Sequence, residues 1–309
     1  MIVTRRGRSR KGRRGPVGRK KQQRVAYLFL TPWLIGLLGM VIGPILYSLY
    51  LSFTRYNLLS PPHWIGFANY LDLARDPQFL QAVSVTLHFV LVSVPLVLVV
   101  SLALALFLNK GIHFVRMYRT LFYLPSLLGT SVAIAVLWLK VFGQPGLFNN
   151  LLRLVGIIGP SWIGNPNTSL YTLVALNLWA FGSTMVIFLA GVGQVPKEYY
   201  EAAQMEGAGW WRCLWIATLP WISPLIFFNF ILGTIAAFQT FTSAFVIGGG
   251  SGSPAGSLLF YSVYLYLQGF TNFKMGYASA MAWLMFVTLS VFSGLVFYSA
   301  RYWVHYGSD

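Results

Sequence analysis

The chain alternates between long apolar segments and shorter polar connections. A helix needs about 20 predominantly apolar residues to cross the hydrocarbon core of a membrane. Segments of that length predict six spans, at residues 25–51, 83–108, 120–142, 170–191, 220–247 and 277–302. We therefore predict an all-α integral membrane protein with six transmembrane helices.

The composition supports a membrane protein and narrows its chemistry. Of the 309 residues, 57% are hydrophobic and 9% are charged, whereas about a quarter of the residues of a soluble domain are charged. The single cysteine, Cys213, excludes a disulfide framework and a cysteine-rich metal site. The four histidines lie far apart, without the spacing of metal ligands. The sequence thus predicts no metal site and no catalytic residue.

A strongly basic segment precedes the first span. Eleven of the 22 Lys and Arg residues fall between Arg5 and Arg24, in a Gly- and Arg-rich stretch without an apolar face. This pattern predicts a disordered tail at residues 1–24, followed by a transmembrane domain at residues 25–309. The tail is expected to contact anionic membrane lipid. RNA binding by the tail is the less favoured alternative, and we predict no nucleic-acid partner.

The basic residues also predict the orientation. If the N-terminus is cytoplasmic, the cytoplasmic segments carry 17 of the 22 basic residues and the outer segments carry 5. An excess of basic residues on the cytoplasmic side is typical of membrane proteins. Most of this excess of basic residues on the cytoplasmic side comes from the tail. This orientation places the connection between the fourth and fifth spans in the cytoplasm.

That connection contains half of the six acidic residues of the chain. Pro196 suits the first turn of a helix, and the carboxylate of Glu198 suits the positive end of the helix dipole. Gly207 can adopt the left-handed conformation that often ends a helix. The sequence predicts a helix of about three turns at Pro196–Glu206.

The same stretch carries a motif. Glu201-Ala202-Ala203, followed by Gly207 and by Leu219-Pro220, resembles the EAA signature of the permease subunits of ABC importers, except that Ala217 stands where the family usually has Ile or Val. The resemblance implies a type I ABC-importer permease fold, with a coupling helix at about residues 196–209. The small alanines would let an ATPase subunit approach closely. The implied coupling residues are Glu201, Ala202, Ala203, Glu206, Gly207 and Ala208.

Further motifs resemble the carbohydrate-uptake branch of this binding-protein-dependent family. They are residues 64–70, Asp76-Pro77-Gln78-Phe79, and Gly276-Tyr277-Ala278, and they resemble permeases of maltose, lactose and glycerol-3-phosphate importers. The implied partners are a second permease subunit, an ATPase dimer and an extracytoplasmic solute-binding protein that docks on the outer loops. No phosphate-binding loop occurs, so ATP and magnesium are expected on the ATPase. The implied location is the bacterial cytoplasmic (inner) membrane.

The predicted spans carry no acidic or basic residue deep inside, which argues against an ion route and for a neutral, hydroxyl-rich solute. Amides and hydroxyls of the fourth and fifth spans could bind such a solute. Resemblance to the maltose-type permease implies that these two helices line a sugar site, although only Asn177 keeps an amide there. Hydrogen bonds between helices are the alternative role of these groups. The candidate pathway residues are Asn177, Phe181, Thr184, Gly233, Gln239 and Thr240.

The predicted function is therefore that of a permease subunit of an ATP-driven sugar importer, which contributes half of the translocation pathway and is not an enzyme. Within the same family, import of a polyol or of glycerol 3-phosphate is the alternative. An ion-coupled secondary transporter and a membrane-embedded enzyme are more distant alternatives. A secondary transporter would need buried carboxylates, which the sequence lacks. A membrane-embedded enzyme would need a clustered set of acids, histidines or metal ligands, and the sequence shows none.

Overall fold

A computed structural model describes residues 27–111, 114–129 and 131–305. The predicted basic tail at residues 1–24 lies outside the described residues, so its disorder and its contact with lipid stay predictions. Contacts divide the chain into two units, Met1–Leu51 and Ser52–Asp309. In the first unit, the described part is an apolar helix on which large side chains such as Phe29 and Met40 are exposed. The second unit contains the core and the cavities described below.

The regular secondary structure of the described residues is almost entirely helical, as predicted. In chain order the helices are α1 Tyr27–Ser52, α2 Ala68–Arg75, α3 Pro77–Leu108, α4 Val115–Leu128, α5 Val132–Phe142, α6 Leu147–Leu154, α7 Pro166–Trp179, α8 Gly182–Val192, α9 Lys197–Met205, α10 at residues 210–238, α11 Thr242–Ile247, α12 Tyr261–Tyr266 and α13 Met275–Trp303. Helix α10 joins Trp210–Cys213 to Leu219–Phe238 through wider π-type turns at Leu214–Thr218. Two short antiparallel strands, β1 Thr54–Arg55 and β2 His63–Trp64, pair Thr54 with Trp64.

The apolar segments agree with the prediction in number. Among the described residues, five segments are long and apolar enough to cross a membrane: α1, α3, Val132–Leu154, Trp210–Ile247 and α13. The pair α7 and α8, bent by 45° at its break, makes a sixth if it is counted as one span. The fourth predicted span is therefore broken rather than straight.

The prediction of one continuous third span at residues 120–142 is wrong, because two separate helices, α4 and α5, meet within it. Helix α4 ends at Leu128, and Gly129 has a φ of +59°, which ends the helix. Ser131 then starts α5, because its hydroxyl accepts a hydrogen bond from the Ile134 N–H at 3.4 Å. By length and composition the span is instead Val132–Leu154. The predicted fifth span is likewise interrupted, between α10 and α11.

Helix α3 is the central element of the second unit and packs against α7, α8, α10 and α12. Its side chains join the main core, where the rings of Phe89 and Phe260 lie edge to face with centroids 5.0 Å apart. The helix has 32 residues and is about 48 Å long at about 1.5 Å per residue. One cavity lies at each end of this helix, and a third lies beside its middle.

Candidate functional site: a connector helix and an internal polar cavity

The predicted helix between the fourth and fifth spans is present as α9, Lys197–Met205, which we call the connector helix. Pro196 precedes it in an extended conformation and Glu206 follows it. Gly207 has a φ of +79°. Its N–H donates to the Gln204 carbonyl at 2.9 Å, and the Ala208 N–H donates to the Ala203 carbonyl at 3.0 Å. These two bonds form a Schellman motif, so the left-handed glycine ends the helix as predicted.

The exposed side of the connector helix differs from the predicted one. Ala203 is only 8% exposed and packs into the chain, whereas Ala202 is exposed. Met205 is 90% exposed. It lies one turn after Glu201 on the same face, and the sequence interpretation did not name it. The exposed residues at and after Glu201 are therefore Ala202, Gln204, Met205, Glu206 and Gly207 with Glu201 itself, whereas Ala203 is buried and Ala208 is half-buried.

The opposite side of the connector helix is attached to α10. The Tyr200 hydroxyl lies 2.9 Å from the Thr218 hydroxyl in a hydrogen bond. The rings of Tyr199 and Trp221 pack with centroids 5.7 Å apart. These two contacts join the connector helix to the part of α10 around Thr218 and Trp221.

An internal cavity of about 320 Å³ lies among α3, α7, α8, α10 and the residues that follow α10. Its lining is polar but uncharged among the described residues that form it. The lining residues are Val94, Val97, Leu98, Asn177, Ala180, Thr184, Asn229, Gly233, Ala236, Ala237, Gln239, Thr240, Phe241, Thr242 and Ser243. We call this space the internal cavity.

Five of the six predicted pathway residues line the internal cavity: Asn177, Thr184, Gly233, Gln239 and Thr240. Their role in binding a solute stays a prediction. Phe181 does not line it. Its backbone carbonyl accepts a hydrogen bond from the Ser101 hydroxyl at 3.3 Å, and its ring packs on Phe122 with centroids 5.9 Å apart. The bend between α7 and α8 turns this residue away from the face shared by Asn177 and Thr184.

Two helix breaks adjoin the internal cavity. One separates α7 from α8 at Ala180, and the other separates α10 from α11 at residues 239–241. Irregular backbone at membrane depth is tolerated where it is buried in protein or lines a water-filled cavity. The second break also brings Thr242 and Ser243 to the lining, which the sequence interpretation missed because it continued the helix through them. The breaks thus concentrate polar groups at one place in an apolar bundle.

No group of three or more His, Cys, Asp or Glu side chains that could hold a metal ion occurs among residues 27–111, 114–129 and 131–305.

The family is shown by comparison with known proteins. Residues 67–304 match the model of the family described as binding-protein-dependent transport system inner membrane component. The chain belongs to this family. The permease is 44% identical over 291 residues to the Bacillus subtilis (strain 168) protein named "Probable ABC transporter permease protein YesP", covering 94% of each chain. It is therefore a multi-pass inner-membrane protein of the ABC transporter permease class.

Two further comparisons agree. The permease is 31% identical over 281 residues to the "Lactose transport system permease protein LacF" of Rhizobium radiobacter, covering 89% of this chain and 93% of that one. Its fold is similar to a chain of a bacterial alginate ABC transporter crystallised with an alginate pentasaccharide-bound periplasmic protein. That match has a TM-score of 0.79 and 22% identity, and it covers 93% of this chain and 97% of that chain. The type I permease fold is thus established.

Proposed function

We propose that the permease forms half of the translocation pathway for a neutral saccharide and is driven by a separate ATPase subunit. The observation that carries this proposal is the uncharged polar cavity at two helix breaks, lined by the same helix, α10, that holds the connector helix. The relative named for the transport of lactose supports a saccharide as the solute.

The lining of the internal cavity favours hydroxyl groups as ligands. Asn177 and Gln239 supply amides, and Thr184, Thr240 and Ser243 supply hydroxyls. Each of these groups can donate and accept hydrogen bonds. The volume of about 320 Å³ is at the lower end of the range of ligand sites, about 300–1,000 Å³. We infer that a second permease subunit completes the pathway from the other side.

The same lining disfavours the alternatives. Recognition of a phosphate relies on Arg or Lys, and none occurs among the described residues that line the internal cavity. Import of glycerol 3-phosphate is therefore less well supported than import of a saccharide or polyol. An ion-coupled carrier would need ionisable groups along the pathway, which this lining also lacks.

In the proposed mechanism, ATP and magnesium bind to the ATPase dimer, which holds the exposed side of the connector helix. Closure of the dimer displaces this helix as a rigid body. The Tyr200–Thr218 hydrogen bond and the contact of Tyr199 with Trp221 pass the displacement to α10. Because α10 also lines the internal cavity, the cavity opens towards one side of the membrane and then the other. This arrangement requires the connector helix, and with it the N-terminus, to be cytoplasmic.

Substitutions on the connector helix test the coupling. Glu201→Ala removes a charge from the proposed interface, and Met205→Glu places a charge where a 90% exposed apolar side chain stands. We expect each variant to lower the amount of ATPase that co-purifies from detergent about tenfold, which corresponds to about 1.4 kcal/mol.

The matched control is Asp72→Ala, which removes an exposed acid of α2, far from the connector helix, and should leave co-purification unchanged. Equal ATPase recovery from the wild type, Glu201→Ala and Met205→Glu would show that the connector helix is not the coupling element.

A further inference from the structure

A second polar cavity lies at the end of α3 farthest from the connector helix. Its volume is about 730 Å³, more than twice that of the internal cavity. Residues that precede and begin α3, including Asp76 and Gln78, form one wall. The segments around α12 and the start of α13 form the other, with Gln268 and Lys274. We call this space the polar basin.

The walls of the polar basin are fixed by buried hydrogen bonds. The side-chain amide of Asn69, only 6% exposed, donates to the carbonyls of Ser52 at 2.8 Å and Thr54 at 3.0 Å. The Gly276 N–H donates to the Tyr56 carbonyl at 3.2 Å. These bonds hold the segment after α1 against α2 and α13. The basin is therefore a preformed cavity rather than a gap between independent loops.

A chain of hydrogen bonds leads through the basin wall to Asp76. Asn272 Nδ2 donates to the side-chain oxygen Oε1 of Gln268 at 3.2 Å, and Gln268 Nε2 donates to the Tyr264 hydroxyl at 2.6 Å. Tyr264 and Tyr277 both donate to Asp76 Oδ2, at 2.5 Å and 2.6 Å. Every donor in this chain points towards the carboxylate, which fixes the orientation of the two amides.

The charged side chains that line the basin sum to a net charge of zero, and this bears on the charge of the ligand that it would bind. Arg55 and Lys274 contribute two positive charges, and Asp72 and Asp76 contribute two negative charges. Amides and tyrosine hydroxyls make up the rest of the lining. A net charge of zero with both donors and acceptors favours a neutral ligand with many hydroxyl groups over an anion or a cation. The volume of about 730 Å³ lies well inside the range of small-molecule sites, about 300–1,000 Å³.

We propose that the polar basin is a second saccharide site, which holds a neutral saccharide before it enters the internal cavity. This inference rests on the proposed function, because it assumes that the solute is a saccharide. In the proposed orientation the basin lies on the outer side, where the solute arrives. Asp72 accepts hydrogen bonds from sugar hydroxyls, and Lys274 and Arg55 donate to them.

Direct binding tests the basin. The transporter, purified in lipid nanodiscs with its co-purifying subunits and without a solute-binding protein, is probed by saturation-transfer NMR with a panel of neutral mono-, di- and trisaccharides. We expect binding of at least one saccharide. Asp72→Ala and Lys274→Ala should each raise its Kd about tenfold. Arg75→Ala is the control, because Arg75 is exposed on the same helix as Asp72 but lies outside the basin lining. Its Kd should equal that of the wild type.

Two outcomes overturn the inference: no saccharide binding to the wild type, or binding that neither basin variant weakens. Uptake separates this failure from failure of the proposed function. If the wild type takes up the saccharide and the basin variants match it in both binding and uptake, only the basin is excluded. If the wild type shows no ATP-driven uptake, the proposed function fails first.

Discussion

At the scale of single residues, Asp76 joins three elements. It precedes α3, and one of its oxygens accepts a hydrogen bond from the Gln78 N–H at 2.9 Å, which caps the helix. Its other oxygen accepts hydrogen bonds from the hydroxyls of Tyr264 in α12 and Tyr277 in α13. Burial raises the pKa of Asp76, but hydrogen bonds from the two tyrosines and from backbone N–H groups outweigh it, and the pKa lies below the usual aspartate range.

This lowered pKa predicts a pH dependence of stability. Because the folded chain holds the ionised form, the contribution of Asp76 is complete above about pH 4, the unfolded pKa of an aspartate. It is lost as the pH falls from there through the lowered pKa. We expect the thermal unfolding temperature of the wild type in detergent to fall more steeply below about pH 4 than that of Asp76→Asn. Parallel curves for the two proteins would contradict this role.

Residue-level prediction succeeded where the local sequence decides the conformation. Gly207 ends the connector helix because a left-handed residue is needed there, and Glu198 lies in the first helical turn as expected. The burial of Ala203 and the position of Phe181 outside the cavity lining were not predictable, because both depend on tertiary contacts. Ala203 is buried by packing against the rest of the chain. Phe181 lies at the 45° bend between α7 and α8, and no proline near this bend would have predicted it.

At the scale of elements, the close crossing of α4 and α8 depends on one glycine. A Cβ atom at Gly182 would lie 2.3 Å from the Phe122 carbonyl oxygen and 2.7 Å from the Tyr123 Cα. Both are backbone atoms, so a side-chain rotation cannot relieve the clash. The absence of a side chain at Gly182 therefore sets the distance between these two helices, one of which continues the bent span that borders the internal cavity.

We expect Gly182→Ala to destabilise the permease by about 1–3 kcal/mol, the usual effect of overpacking. The control is Gly294→Ala in α13, where a Cβ would meet nothing within 4 Å. This change should be neutral or stabilising, because alanine favours a helix by up to about 1 kcal/mol over glycine. The measurement is the unfolding temperature of both variants in one detergent. Equal stability of the two variants would show that α4 and α8 separate without cost.

The number of apolar segments and the connector helix were predictable, because length, hydrophobicity and capping residues are local properties. The breaks inside three predicted spans were not. Gln239 and Thr240 lie in a continuous apolar run, and their non-helical backbone is stabilised by the surrounding elements. One example is the hydrogen bond that the Ser262 hydroxyl donates to the Thr240 carbonyl. Such contacts between distant parts of the chain have no signal in a single sequence.

At the scale of the whole molecule, the described second unit has an axial arrangement. Helix α3 begins at the polar basin, passes the internal cavity at Val94 and Leu98, and ends near the connector helix, where Leu106 and Asn109 lie beside Tyr200. Helix α10 links the connector helix to the internal cavity. The proposed solute path and the proposed coupling path would thus share the two long helices α3 and α10.

ATP-driven uptake of a labelled saccharide into proteoliposomes containing the permease, its second permease subunit, its ATPase and its solute-binding protein tests this account most directly. We expect uptake that needs ATP and no ion gradient. Gly233→Ala should retain uptake, because the nearest atom to its Cβ would be Val94 Cγ1 at 3.7 Å. Gly233→Leu, which fills the internal cavity, should reduce uptake at least tenfold. Uptake driven by an ion gradient without ATP, or undiminished in Gly233→Leu, would contradict the account.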